Sequence, residues 1–413
     1  MSENIKKLTA QYNNYIYPKP CEDIENEWLI KNRYQTCDPN YHWHKLWPEF
    51  PYKREKMNIL VAGCGSDQAA VLAKCNPIHS FIGIDLSENS LNHQKKLIKK
   101  HNIKNLKLIC DDFRNQKFDK KFDYIISSGV IHHLDNPNTA LKFFNDNLAN
   151  HGVLFLMVYG NQQSDLIRGL KDVFKKFEFA QDKESVGNIK NIIGKLHKNH
   201  PSKLFLNQFN DFVYDAGVVD IFLHPKEKFY SLSSLIKELE ENNFLIKNFV
   251  DGKVAAITKY IIDNPNLLKQ FKEFNLEQQL DIAQMLNWND RKIEVICTKI
   301  ENKKYSKLYN KIILDDIFTY AFQNIRYKFE TDRIEMINVK DGTNFKFNVD
   351  NDGVDWKKIL SGQYKLKNLL NSLPDKKKKN LYNLIEFLIE NYLLDFSFHK
   401  IEDYKKYYNS DKN

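Results

Sequence analysis

The chain has no CxxC pair and no zinc-finger spacing among its six cysteines, Cys21, Cys37, Cys64, Cys75, Cys110 and Cys297. That pattern excludes a cysteine-rich zinc module and a framework of closely spaced disulfides, and no metal site is expected. Cys64, Cys75 and Cys110 fall in or beside apolar segments, which predicts reduced structural thiols. The N-terminal stretch MSENIKKLTAQYNNY lacks the apolar centre of a secretory signal. No run of 18 apolar residues occurs, so an ordinary membrane-spanning helix is not expected. There is no internal repeat. These absences read as a cytoplasmic chain without a membrane partner.

What is present points to a large globular chain. Its 413 residues suggest two or three domains, and 42% hydrophobic residues suffice for a substantial core. The net charge of +9 is compatible with nucleic acid. Lysine is nevertheless spread along the whole chain beside frequent Asn and Ile, so nucleic acid is not favoured as a partner.

Residues 1–56 are aromatic and irregular, with Tyr12, Tyr15, Tyr17, Trp28, Trp43 and Trp47 among prolines, and read as a cap segment. From Met57 the pattern changes to short apolar runs separated by helical periods: NILVAG, SFIGID, LKLIC, FDYIIS and GVLFLMVY, later FLIKNFV and IEVICTKI. The runs are apolar throughout, as strands covered on both faces are. The expectation is a doubly wound, Rossmann-like α/β domain with a seven-stranded sheet over 57–302, carrying a polar helical insertion at about 161–230. Asn264 to Leu286 reads as one helical stretch, and Pro225 as a helix start. Residues 303–413 read as a small α+β winged-helix-like module. It has a hairpin of EMINVK and NFKFNV around Asp341-Gly342, three helices and a closing LLDFSFHK.

The chemistry concentrates at strand ends. Gly63-Cys64-Gly65-Ser66 follows the first strand and precedes a helix near Gln68, a turn where backbone can approach a ligand closely. Asp85 ends the second strand, 20 residues after Gly65, where an acid can accept both hydroxyls of a ribose. Its bland alternative is a helix cap, a role that Ser87 could fill equally well. Asp111-Asp112 ends the third strand, where a carboxylate can meet an adenine amino group. Phe113 can offer its backbone N–H and its ring to the base. A dinucleotide fingerprint would need glycine at position 68, which holds Gln68, and a P-loop is absent.

The ordered series Gly63-Cys64-Gly65, Ile84-Asp85-Leu86-Ser87, Cys110-Asp111-Asp112-Phe113 and Phe122-Asp123-Tyr124 resembles the motifs of class I S-adenosylmethionine-dependent methyltransferases. Ser128-Gly129-Val130-Ile131-His132-His133-Leu134-Asp135 strengthens the resemblance, as does Asn150-His151-Gly152 before the fifth strand. Val219 to Pro225 resembles a segment of a bacterial subgroup of unassigned substrate. The resemblance implies S-adenosyl-L-methionine as cofactor, held by Gly63, Cys64, Gly65, Asp85, Leu86, Asp112, Phe113 and Ser128. Asp112 is favoured over Asp111 because the family places its acid just before the residue filled here by Phe113. Two departures stand out: Asp67 occupies the place of a common third glycine, and Val61 replaces an acid two residues before the first glycine.

Methyl transfer to a neutral nucleophile needs alignment, a dry pocket and a proton acceptor. Candidate proton acceptors are His132, His133, Tyr159, Asp220 and His224, of which His133, His224 and Tyr159 are the candidates for catalysis; those for acceptor binding are Tyr12, Tyr17 and Asp220. The leading expectation is an enzyme that methylates an O, N or S atom of a small molecule, which an insertion and an aromatic cap can enclose. The alternatives are an RNA or protein methyltransferase and a non-catalytic cofactor-binding regulator. The C-terminal module is expected to serve packing, protein contact or self-association.

Overall fold

The computed structural model describes residues 3–24, 34–39, 43–49, 56–207, 210–250, 264–286, 292–306, 314–321, 325–339, 344–349, 354–390 and 393–400. The chain forms two compact units. One is built from Met1–Tyr41, Glu55–Lys247 and Trp288–Asn302, the other from His42–Arg54, Asn248–Asn287 and Lys303–Asn413.

A seven-stranded sheet organises the first unit. Its strands are β1 (Asn58–Ala62), β2 (Ser80–Asp85), β3 (Leu106–Cys110), β4 (Phe122–Ser128), β5 (Leu148–Tyr159), β6 (Phe244–Phe249) and β7 (Lys292–Lys299), in the order β3-β2-β1-β4-β5-β7-β6. Each corresponds to an apolar run of the sequence. Ile59 to Ala62 of β1 and Tyr124 to Ile126 of the neighbouring β4 are fully buried, so the sheet's centre is covered on both faces. β1 pairs in parallel with β2 and β4, and β7 runs antiparallel to β5. Parallel neighbours require crossovers, supplied by the helices Gln68–Cys75, Glu88–Lys100 and Pro137–Asn147. The chain winds outward from β1 to β3, then returns to lay β4 on the other side of β1. That reversal opens a crevice at the C-terminal ends of the two strands.

Caps decide where these helices begin. Ser87 accepts from the Ser90 N–H at the start of Glu88–Lys100, and Asn136 caps Pro137–Asn147. The cap alternative for Asp85 is therefore taken by Ser87. The stretch 264–286 is two helices, Pro265–Glu273 and Leu276–Leu286, rather than the one expected. Asn275 and Gln278 form a reciprocal capping box between them, which starts a new helix instead of extending the old one.

The insertion folds as Asn161–Lys176, Lys183–Lys195, Pro201–Leu206 and Asp215–Phe222, with a core of its own around Phe174, Ile189, Val218 and Val219. Gly217 is indispensable to it: a Cβ there would sit 1.9 Å from the Asp211 carbonyl oxygen. No helix starts at Pro225. Residues 223–229 instead run as a loop, in which the Lys228 N–H donates to the His132 carbonyl at 2.8 Å and the next residue but one, Tyr230, donates to the Tyr159 carbonyl.

The second unit carries two three-stranded sheets. β8 (Phe318–Ala321), β12 (Ser361–Lys365) and β13 (Leu394–Ser397) form one, in the order β12-β8-β13; β9 (Ile325–Phe329), β10 (Arg333–Asn338) and β11 (Asn344–Asn348) form the other. β10 and β11 pair as the expected hairpin, whose turn at Asp341-Gly342 lies outside the described residues. The helix Asp375–Glu390 buries Leu381, Ile385 and Leu388. The closing strand pairs with β8, not with the hairpin, so the unit is richer in sheet than its sequence suggests. Among the described residues, no helix is long and apolar enough to cross a membrane.

Candidate functional site

The crevice is built first from the turn after β1. Gly63 and Gly65 have φ of +73° and +56°. A Cβ on Gly63 would lie 2.3 Å from Val130 Cγ2, so the turn closes on the end of β4 only without a side chain. At Gly65 the nearest atom to such a Cβ is Pro18 Cδ, at 4.0 Å, which leaves its face open. Gln94 fixes the turn from the next helix, donating to the Cys64 and Gly65 carbonyls at 3.2 and 2.7 Å. Burial, then the nearby Asp85 charge, pushes the Cys64 thiol well up, so it stays neutral.

Asp85 accepts from the Gly65 N–H at 2.7 Å and the Ser87 N–H at 2.9 Å. Burial raises its carboxyl, and the amides of Ser87, Gly65 and Leu86 hold it partly back. Two carboxylate oxygens retain acceptor capacity beyond these amides. Asp112 is differently placed. Arg114 grips it through Nε at 2.9 Å and Nη2 at 2.6 Å, and its own N–H also binds Asp112 Oδ1. Burial pushes the Asp112 carboxyl up, but these Arg114 bonds and charge outweigh burial and leave it below the ordinary range. Asp111 accepts from Asn115 and Gln116 side chains at 3.1 and 2.6 Å. The Phe113 ring stacks on Phe144 with centroids 5.3 Å apart, so the core shares it.

The N-terminal helix Glu3–Asn14 and the segment after it are fastened over the same crevice. Asn4 donates to the His133 carbonyl, Ser87 to the Tyr12 carbonyl and Ser66 to the Pro18 carbonyl, at 3.2, 3.0 and 3.3 Å. Asp67, in the place of a third glycine, is fully buried. It accepts from the Cys21 N–H at 3.1 Å and from the Tyr34 hydroxyl. The first departure thus ties down the cap. Val61, the second, is a fully buried residue of β1.

A cavity of about 330 Å³ results. The glycine turn, Asp85, Leu86, Asp112, Phe113 and Ser128 line one part of it; His133, Tyr159, Asp220, Tyr12 and Tyr17 line another. His224 is not in the lining but lies directly behind, its ring stacked on His133 with centroids 3.8 Å apart. The sequence reading missed Glu294, Lys292, Asp211, Thr36 and Tyr34, all of which face the cavity. Glu294 and Lys292 arrive because β7 lies antiparallel beside β5, opposite Met157 and Tyr159. Thr36 Oγ1 donates to Glu294 at 3.3 Å.

The backbone of Lys226 sets the protonation of both histidines. Its carbonyl lies 3.1 Å from His133 Nδ1 and can only accept, so His133 carries its proton there and a lone pair on Nε2. Its N–H donates to His224 Nδ1 at 3.2 Å, so the neutral His224 carries its proton on Nε2. From there a chain runs through the Tyr12 hydroxyl, 3.3 Å away, to Asp220 Oδ1 at 3.4 Å. Burial holds His133 below the ordinary imidazole range; burial and the neighbouring His133 hold His224 well below it. Burial, then the Asp220 charge, raises the Tyr12 phenol far enough to keep it protonated.

His133, Asp220 and His224 lie close enough together to suggest a metal centre, as do His132, His133 and Glu227. The geometry of the first group argues against one. Stacked rings send their in-plane lone pairs side by side instead of converging on an ion, and a His224 Nε2 ligand would turn its Nδ1–H toward the Lys226 N–H.

A family profile described as "Methyltransferase domain" matches residues 53–312. The uncharacterized protein syc1184_c of Synechococcus sp. is 22% identical over 304 residues, covering 68% of each chain. Malonyl-[acyl-carrier protein] O-methyltransferase of Bacillus cereus is 22% identical over 133 residues, 32% of this chain and 46% of that protein. Among solved structures, PKMT2 from Rickettsia typhi in complex with AdoHcy superposes with a TM-score of 0.60 at 16% identity, over 88% of this chain and 76% of that one. That likeness concerns the fold.

Proposed function

The chain belongs to the methyltransferase-domain family, and from that premise we propose that it transfers a methyl group from S-adenosylmethionine to a nucleophile of a small-molecule acceptor. The observation that carries this reading is a single cavity reaching both the glycine turn with Asp85 and the neutral His133.

The residues fit the cofactor. Gly65 leaves open the space a side chain would fill, and Asp85 keeps acceptor capacity for two ribose hydroxyls. The adenine end falls to the region of Asp111, Asp112 and Phe113. When bound, the cofactor supplies an electrophilic methyl carbon on a sulfonium. The protein's part is to align the acceptor along the displacement axis and to keep water out. Tyr12 and Tyr17 of the N-terminal segment wall the cavity, and Tyr12 is held by Asp220 and His224. His133 Nε2 takes the acceptor's proton, with Nδ1 anchored on Lys226 so that the ring cannot turn. Six free thiols accord with a cytoplasmic setting.

The test is incubation with methyl-labelled S-adenosylmethionine and an undialysed cell extract, followed by separation into dialysable, protein and RNA fractions, with label expected in the dialysable one. Label confined to the protein or RNA fraction would overturn the small-molecule acceptor. Calorimetry should also show S-adenosylhomocysteine binding and NAD failing to bind, since the third dinucleotide glycine is absent.

A further inference from the structure

We infer that the acceptor enters this cavity as a cation, an amine in its ammonium form, received by Asp211, Asp220 and Glu294. The inference rests on the methyl-transfer reading and names the substrate class of that same site.

The first observation is charge. Among the described residues, six carboxylates line the cavity, those of Asp85, Asp111, Asp112, Asp211, Asp220 and Glu294, against one lysine, Lys292. The chain as a whole carries +9, so its cavity has the opposite sign. Asp112 is neutralised by Arg114, and Asp85 and Asp111 stand at the ends of β2 and β3 on the nucleoside side. The other three come from elsewhere: Asp211 from the turn Asn210–Val213, Asp220 from the helix Asp215–Phe222, Glu294 from β7. Asp220 is 2% exposed, so water screens it little. A phosphate or carboxylate acceptor would be repelled there, and a cation drawn in.

The second observation is independent of charge and concerns hydrogen-bond donors. His133 is 5% exposed and lines the cavity. Its Nδ1–H is committed to Lys226, and among the described residues its Nε2 has no hydrogen-bond partner. An acceptor that opens onto the cavity there is matched by a donor from the ligand. The three carboxylates likewise only accept. Lys292 also lines the cavity and brings donors of its own, but it is exposed to water. An ammonium offers three donors, an alcohol one and a carboxylate none. The amine is the class that matches both the sign of the charge and the excess of acceptors.

The carboxylates bind the amine as its unreactive cation, and His133 is what makes it a nucleophile. The ammonium gives one proton to His133 Nε2, and the freed nitrogen pair forms the new N–C bond as the C–S pair departs with sulfur. The products are a methylated ammonium, a neutral thioether and a proton on His133 that passes to water, which balances charge and electrons.

The test uses the full-length protein loaded with S-adenosylhomocysteine and titrated with n-hexylamine, n-hexanol and hexanoate, followed by saturation-transfer NMR. Hexylamine should bind about tenfold or more tightly than hexanol, and hexanoate should not bind. In Glu294→Gln and in the Asp220→Asn/Glu294→Gln pair the preference should shrink or vanish, with S-adenosylhomocysteine affinity kept within about threefold. Hexanol or hexanoate binding as well as hexylamine, no binding of hexylamine, or a preference unchanged in both variants would overturn the inference. Failure of S-adenosylhomocysteine itself to bind would instead remove the methyl-transfer reading beneath it.

Discussion

His133 and His224 lie face to face with ring centroids 3.8 Å apart, and the backbone of Lys226 gives them opposite tautomers. Two imidazolium ions stacked this closely would repel, so the pair titrates as a unit that resists its second proton. His133 is the member whose free lone pair belongs to the cavity; His224 supports it from behind and donates its Nε2–H to the Tyr12 hydroxyl oxygen.

Replacing His133 should therefore affect turnover rather than cofactor binding. His133→Gln is expected to lower kcat by roughly 10²–10⁴-fold, the range for loss of a general base. S-adenosylhomocysteine affinity should stay close to that of the parent. Calorimetry and steady-state rates on one preparation separate the two, and an unchanged kcat would remove His133 from the mechanism.

The pH dependence follows from the direction of the histidine shifts. Both are held below the ordinary imidazole range in the folded state, by burial first. The unfolded chain therefore binds protons more readily, and the stability these groups contribute is fully present above about pH 6.5. It is lost as pH falls from there through the folded values. Activity should fall over the same interval as His133 takes up a proton. Melting temperatures at about pH 7.5 and pH 5 should differ less in His224→Asn than in the parent.

Asp85 should matter to the cofactor alone. Asp85→Ala removes a charged acceptor of two hydroxyls and is expected to weaken S-adenosylhomocysteine by about 1.5–3 kcal/mol, roughly 10- to 150-fold. Calorimetry on the folded variant reads this directly. An unchanged affinity would reduce Asp85 to a clasp for the Gly65 and Ser87 amides.

At the adenine end, the grip of Arg114 on Asp112 sets up a contrast. Asp112→Asn should weaken cofactor binding about tenfold and also lower the melting temperature, because the Arg114 pair loosens with it. Asp111→Asn should leave the melting temperature nearer the parent value. If only Asp111→Asn weakens binding, the adenine partner is Asp111.

Gly217→Ala probes the insertion. The added methyl would meet the Asp211 carbonyl, and the shift needed to relieve it should cost about 1–3 kcal/mol of stability. Because Asp220 lies on the same helix and Asp211 on the displaced turn, kcat/KM should fall as well. Parental stability and activity together would show that the turn yields freely.

The sheet was legible because each strand is an uninterrupted apolar run between helical periods, as in Asn58–Ala62 and Phe122–Ser128. Gly63, Gly65 and Asp85 were legible because a turn and a strand end stand in a fixed relation within one β-α-β unit. Glu294 and Lys292 were not, since their placement depends on β7 entering beside β5 from more than 130 residues away. Asp67 looked like a defect in a glycine motif; its partners Cys21 and Tyr34 lie 46 and 33 residues back along the chain. His224 was expected at a helix start, but the bonds of Lys228 and Tyr230 to the neighbouring backbone draw residues 223–229 into a loop.

The threading of the chain through its two units bears on how it is synthesised. Trp43, Leu46 and Trp47 belong to the second unit, where they are buried and the two indoles stack at 4.4 Å. Most of that unit follows Asn302. At about 5–20 residues per second on the ribosome, these three side chains wait for tens of seconds before most of their unit exists. Once Lys299 has been added the strands of the first unit are all present, while most of the second unit is still to be made. A nascent chain of this kind is a client for holding chaperones, and the aromatic cluster at 43–47 is where one would grip.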